Sequence, residues 1–238
     1  MVDWTSAQVA ERLGLTQRRI VELLRDRRIA GRQMPDGTWL IDSDSVLGYE
    51  NVNRGHAGRE MSPATAWGLL WALSEKPAPW LAPHTKSRIR NRLAHQDAEG
   101  LARAVATRTR AHRFRSANTE RIIPDVIATG RLALSLFGQL VPPTAGLRDL
   151  VGDSRRVAGY VPSGETMERF ARTHFMRADT GGRDVLYENT LPIEYKSEVM
   201  PIAVIAADLA LSIDSRERSA GLTALEDLRD QWLAQHTR

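Results

Sequence analysis

The pattern of residues 5–49 constrains this chain more than any other feature of it. Apolar side chains recur at helical spacing through Leu13, Leu15, Ile20, Leu23 and Leu24, which would share one face and form a small core. Gly14 falls where a first helix must stop, Thr16 is placed to cap a second, and Ala10 is the small residue where the two would cross. Residues 28–41 then read as a β-hairpin turning at Pro35-Asp36-Gly37, with Trp39 alternating inward. A third amphipathic segment, residues 43–49, closes the unit. Two short helices at a tight corner followed by a hairpin predict a helix-turn-helix with a wing, an order that presents one helix to a DNA major groove.

Charge is distributed to match. Between Glu11 and Arg32 stand seven arginines (12, 18, 19, 25, 27, 28 and 32) against the acids Glu11, Glu22 and Asp26. Between Asp36 and Glu60 the balance reverses, so the unit is basic on one side and acidic behind. A second basic stretch runs from Lys86 to Arg115, where Lys86, Arg88, Arg90, Arg92, Arg103, Arg108, Arg110, Arg113 and Arg115 face only Asp97 and Glu99. Clusters of this kind bind phosphate by releasing its counterions. The second stretch has two readings, a further phosphate-contacting face or a solvated helix face whose arginines pair with Glu226, Asp227 and Asp230.

The candidate DNA-binding residues are Thr16, Gln17, Arg18 and Arg19 at the start of the second helix and Arg32 and Gln33 on the wing. A guanidinium matches guanine O6 and N7 in two bonds, a carboxamide matches adenine N6 and N7, and a helix N-terminus favours phosphate. Gln17, Arg18 and Arg19 would read bases, Thr16 and Arg32 would hold phosphates, and Arg32 and Gln33 would reach a neighbouring minor groove or backbone.

The remaining chain reads as α+β, with helices dominant and strands short. The polar, glycine-containing residues 53–60 read as a linker between a domain at 1–55 and a mainly helical α+β domain at 62–238. Helices are predicted at 64–73 (with Pro63 in the first turn), 86–93, 98–105, 122–129, 132–140, 167–175, 203–211 and 215–232. Strands are predicted at 107–115, 157–161 and 184–188, with a Pro-Pro break at Pro142 and a turn at Gly181-Gly182.

Several classes of chemistry find no support. The chain has no cysteine, which rules out disulfides, thiolate zinc sites and cysteine nucleophiles. No apolar run is long enough to span a bilayer and no signal-peptide core is present, so a soluble, cytoplasmic protein without membrane contact is expected. A nucleotidyltransferase needs a Gly-Ser turn leading into paired aspartates that hold magnesium. Gly152-Asp153-Ser154 has neither the order nor the partner, and Asp42-Ser43-Asp44 sits where acids complement a helix start. The histidines (56, 84, 95, 112, 174 and 236) form no helical pair and read as solvated or phosphate-facing. No catalytic residue, metal ligand or cofactor is expected.

Residues 3–52, through the Thr5-Ser6-Ala7-Gln8 start, Gly14, Thr16 and the Gly37-Thr38-Trp39 hairpin, resemble the MerR-like excisionase helix-turn-helix family. That resemblance implies a DNA-binding fold shared by repressors, excisionases and antitoxins. The remainder is similar to AbiEi-type antitoxins through residues 126–138, Val157-Ala158-Gly159-Tyr160-Val161, and residues 202–211 followed by 214–221. This second resemblance implies a DNA-binding partner of a nucleotidyltransferase toxin. Together they suggest a regulator that represses its own operon on a double-stranded DNA operator, as a homo-oligomer, with a cognate toxin as possible partner. An excisionase-like architectural protein is the alternative, disfavoured by the large C-terminal portion. An enzyme with an unrecognised site in 62–238 is the third reading.

Overall fold

The first helix of the chain is set by its two ends. A short strand, β1 (Asp3–Thr5), leads into α1 (Ser6–Leu13) through a capping box. The Thr5 hydroxyl accepts from the Gln8 N–H at 3.4 Å, and Gln8 Oε1 accepts from the Thr5 N–H at 2.8 Å. Gly14 closes the helix at φ 64°, a left-handed conformation that a side chain would strain, and its N–H turns back to the Ala10 and Glu11 carbonyls. Thr16 follows at once and caps α2 (Gln17–Arg25), accepting from the Arg19 N–H at 3.3 Å.

The computed structural model describes residues 3–26, 28–53, 61–138, 147, 150, 156–179 and 181–236. The chain divides into two units, Met1–His56 and Ala57–Arg238. The expected linker beyond Asn53, the break at Pro142 and Gly152-Asp153-Ser154 lie outside the described residues.

In the first unit, α2 is followed by β2 (Gly31–Gln33), β3 (Trp39–Asp42) and α3 (Ser43–Asn53). The two strands form the predicted antiparallel hairpin, and β1 adds to the far side of β3 to give the sheet order β1-β3-β2. Val9, Ala10, Ile20, Leu23, Leu24, Ile29, Ile41 and Val46 form the core, with Leu13 and Trp39 on its rim. Leu15 departs from expectation: it lies in the turn between the helices and is 37% exposed.

The second unit begins with α4 (Pro63–Leu73), capped by Ser62, then α5 (Pro83–His95) and α6 (Ala98–Val105), capped by Asp97. A 3-10 turn at Ala106–Arg108 leads into β4 (Ala111–Arg115). Thereafter come a 3-10 turn at Ile123–Asp125, β5 (Ile127–Ala128), α7 (Gly130–Phe137), β6 (Ala158–Tyr160) and α8 (Met167–Thr173). β7 (Arg177–Ala178), β8 (Asp184–Tyr187), α9 (Ile202–Ala210) and α10 (Ser215–His236) complete the order. The sheet runs β5-β6-β8-β4-β7; β6 and β8 are parallel and the other pairs antiparallel. The class is mixed α+β.

Residues 122–129 do not form the predicted helix. The chain makes only the 3-10 turn at Ile123–Asp125 before Val126 turns extended, and Val126, Ile127 and Thr129 are β-branched. The segment instead pairs Ile127 with Tyr160, and the Ala128 N–H donates to the Glu198 carbonyl at 2.8 Å. Strand geometry likewise begins at Ala111 rather than Thr107.

α9 is apolar around most of its circumference and buried from Ala203 to Ala210, against α10 on one side. Gly221 of α10 makes that approach feasible, since a Cβ there would lie 2.2 Å from the Ala210 nitrogen and 2.6 Å from the Ala206 oxygen.

One buried polar cluster interrupts this core. Arg108 pairs with Asp208 of α9, their side chains 0% and 2% exposed. Asp208 also accepts from the Tyr160 hydroxyl at 3.0 Å and from the Thr129 hydroxyl at 2.6 Å. Arg108 donates to the Val105 carbonyl and to the Tyr160 oxygen, each at 3.0 Å, and its guanidinium sits 5.4 Å from the centre of the Trp67 ring. Trp67 in turn donates to the Thr190 hydroxyl at 3.0 Å, and that hydroxyl donates to the Arg108 carbonyl. Burial pushes the Asp208 carboxyl above its ordinary range, against Arg108, Thr129 and Tyr160, whose donors favour the carboxylate.

Two tests follow from this cluster. Asp208→Ala leaves a guanidinium buried without a counter-charge and costs ~3–5 kcal/mol, while the joint replacement Arg108→Met with Asp208→Leu is less damaging than Asp208→Ala alone. Urea unfolding of the variants checks both halves. The second test uses the phenols. Burial raises Tyr160 well above its ordinary pKa, and Tyr187, stacked on it at 4.9 Å, is raised as well. Each stays protonated in the folded state when the unfolded phenol, near pKa ~10, has ionised. Their contribution is complete below pH ~10 and declines above it by about 1.4 kcal/mol per pH unit per phenol. Denaturant titrations from pH ~8 to ~11.5, either side of the ~10 of a free phenol, should show that fall, with a shallower slope in Tyr187→Phe.

Candidate nucleic-acid interface

α2 separates two kinds of side chain by periodicity alone. Ile20, Leu23 and Leu24 are buried against the core, Arg18 points away from that face with Arg19 to its side, and Gln17 is exposed as the first residue of the helix. Thr16 stands exposed at the cap, so its hydroxyl serves the helix while the positive end of the helix dipole faces solvent. Arg32 and Gln33 are exposed on β2. All six candidate residues therefore lie on the first unit and on its surface, in two groups: the α2 start and the hairpin.

Each group carries light internal restraint. Glu22 lies 2.9 Å from Arg19 and 3.5 Å from Arg18, whose side chain is 91% exposed. The hydrogen bond from Arg19 holds the Glu22 carboxyl below its usual range and raises the Arg19 guanidinium in return. Arg32 lies 3.3 Å from Asp3 across the sheet, and Gln33 donates to the Gly37 carbonyl at 3.2 Å. Solvent-exposed pairs of this sort contribute little to stability, so a phosphate or a base edge can replace the carboxylate at small cost.

Two arginines of the same basic run have a different task. Arg12 reaches Glu50 of α3 at 2.9 Å and lies 5.0 Å from the Trp4 ring centre, and Arg28 lies 5.4 Å from that of Tyr49. These contacts tie the termini of the unit together. Run-length charge does not distinguish them from Arg18 and Arg19; only their partners do.

In the second unit the basic stretch divides similarly. Arg108 is buried, which neither sequence reading anticipates. Among the acids expected to neutralise the stretch, Glu226 accepts from the Ala98 N–H at 2.9 Å and pairs with Arg229, and Asp230 lies 3.4 Å from Arg229. Arg218 takes Glu99 at 3.2 Å. Two histidines are likewise engaged rather than solvated: His112 contacts Glu188 at 2.7 Å, and His174 lies against Phe170, ring centres 4.3 Å apart and tilted, with Asp125 at 3.5 Å.

A cavity of about 390 Å³ opens beside His174, bordered by Asp125, Glu165, Phe170, Ser197 and Glu198. Ser197 directs its hydroxyl to the Val199 carbonyl at 3.0 Å, not to a histidine. Among the described residues no three histidine or carboxylate side chains are grouped to hold a metal ion, and no helix is long and apolar enough to cross a membrane. The Arg108–Asp208 cluster is closed on all sides, with Thr129 and Tyr160 both at 0% exposure, and among the described residues its side-chain groups satisfy one another except Arg108 Nε.

Comparison of the chain with protein-family models, with curated proteins and with solved structures finds no match. Placement and chemistry of the side chains carry the functional reading.

The Thr16 cap is the testable element of this geometry. Thr16→Ala removes the acceptor for the Arg19 N–H and is expected to cost the first unit about 1 kcal/mol, within a range of ~0.5–2, while Thr16→Ser retains most of it. Thermal melts of the three proteins followed at the first unit's tryptophans measure the difference.

Proposed function

We propose that the chain is a sequence-specific DNA-binding transcriptional regulator whose first unit is a winged helix-turn-helix. The observation that carries this reading is the first turn of α2, where Gln17, Arg18 and Arg19 are all exposed at a capped, acid-free start of a helix whose other side is buried. A duplex major groove about 12 Å wide admits such a helix, and an arginine there meets guanine with two parallel bonds. The hairpin supplies Arg32 and Gln33 for the flanking backbone or minor groove. Supporting it further, the internal partners of these side chains are exposed carboxylates that phosphate readily replaces.

One unit of this size makes few base contacts, so selective binding calls for two copies on a repeated site. The second unit, with an extensive core of its own, supplies pairing or partner contact under this proposal. An antitoxin that represses its own operon, with a toxin as that partner, is the sharpest form of the reading. Residues 57–238 far exceed what an architectural excisionase-like module needs, which favours the regulator.

Footprinting on the DNA upstream of the chain's own gene tests the proposal. Arg18→Ala should relax base preference at one position by about 1–3 kcal/mol. Arg19→Ala should relax it at a neighbouring one, while Thr16→Ala weakens all sequences alike. Unchanged protection by both arginine variants rejects α2 as the reading helix.

A further inference from the structure

No acidic residue occurs between Glu75 and Asp97, and that acid-free stretch contains the whole of α5. Such composition is unusual for a helix on a protein surface, where opposite charges normally alternate along a face. α5 buries only Ile89 and Leu93, and Arg229 of α10 donates to its Leu93 carbonyl at 2.8 Å. Its start has no side-chain cap and no acid in the first turn. Lys86, Arg88 and Arg90 are exposed, and among the described residues no carboxylate lies within ion-pair distance of any of them. On the neighbouring helix, Glu226 and Asp230 are engaged by Arg229.

The cations are also arranged. At about 100° per residue, Lys86 and Arg90 fall within about 40° of each other, and Arg88 lies about 160° from Arg90 across the exposed side. Between these edges stand the short, exposed Ser87, Asn91 and Ala94, with exposed Pro83 and His84 on the same face at the start of the helix and exposed His95 at its end. The middle of the outward face of α5 is thus a low ridge of small side chains, with a histidine near each end and cations on each flank. A helix is ~10–12 Å across with its side chains, close to the ~12 Å width of the B-form major groove. In that groove the ridge approaches the base edges while the two flanks meet phosphates of opposite strands. The deep, narrow major groove of an RNA duplex does not admit the same helix.

We propose that α5 is a second DNA-binding surface, a helix that inserts into a duplex major groove through Ser87, Asn91 and Ala94 and takes phosphates on both sides through Lys86, Arg88 and Arg90. Its contribution is largely independent of sequence, because its charged contacts go to the backbone. It does not rest on the role given to α2.

The test uses the full chain and three probes of one arbitrary sequence: duplex DNA, duplex RNA and single-stranded DNA. Affinity is measured across a series of KCl concentrations. Replacing Lys86, Arg88 and Arg90 together by alanine should reduce the slope of log K against log salt on duplex DNA by roughly 2–3, at ~0.9 for each phosphate no longer neutralised. Asn91→Glu, which places an acid on the ridge without removing a cation, should weaken duplex DNA binding at least tenfold. All the replaced side chains are exposed, and thermal melts should show the fold intact. The same changes made in an Arg18→Ala, Arg19→Ala background should lower the slope equally, so that failure of α2 as a reading helix is distinguishable from failure of α5. An unchanged slope overturns the proposal. Equal losses on duplex RNA or on single-stranded DNA also overturn it, since they identify a general polyanion face, and so does loss of an acidic protein partner with DNA binding intact.

Discussion

A guanidinium with no access to water governs the architecture of the second unit. Arg108 cannot shed its proton inside the core, so every element around it must offer an acceptor or an aromatic face. Asp208 brings α9, Tyr160 brings β6, Thr129 brings the start of α7, and Trp67 brings α4. Only its Nε is left without a hydrogen bond among the described residues. The ion pair gains little net stability over an apolar replacement, because desolvation offsets most of the Coulomb attraction. Its effect is on uniqueness: any packing that moves one of these elements strands a buried charge. The cluster fixes α9 against β6, α4 and the start of α7, while the close approach at Gly221 fixes it against α10.

The contrast with the first unit is one of dielectric. There the arginines are exposed, and their partners Glu22 and Asp3 hold them loosely in high-dielectric surroundings. The same residue type thus fixes a fold where it is buried and leaves a surface available where it is not. Arg12 and Arg28 fall between these limits, half structural through Glu50 and the rings of Trp4 and Tyr49. Counting charges along a sequence treats all of these as equivalent, although their surroundings assign them different work.

What is legible in the sequence is local. Gly14, Thr16 and Pro63 each announce a helix boundary through chemistry confined to a few neighbours, and the structure places boundaries there. The hairpin around Pro35-Asp36-Gly37 is equally local. The surface position of Arg18 and Arg19 follows from helical period, and that of Gln17 from its place at the helix start, though the hold of the two arginines on Glu22 does not. Non-local features are out of reach. β1 is three residues that acquire strand geometry only by pairing with β3, and Leu15 has the spacing of a core residue although it sits in a turn. Residues 122–129 mislead because tertiary pairing with β6 and with Glu198 decides their conformation. Arg108 resembles its neighbours in every local respect, and its partner lies a hundred positions away.

That separation has a consequence for the order of events on the ribosome. The first unit closes on contacts made within residues 3–53 and is complete as soon as those residues have emerged. The second unit has no such early closure. Arg108 emerges long before Asp208, and until α9 appears it must stay hydrated, keeping the strands and helices around it from docking. During synthesis, then, the two units differ in age, and a nascent chain carries a finished first unit ahead of an unassembled second one.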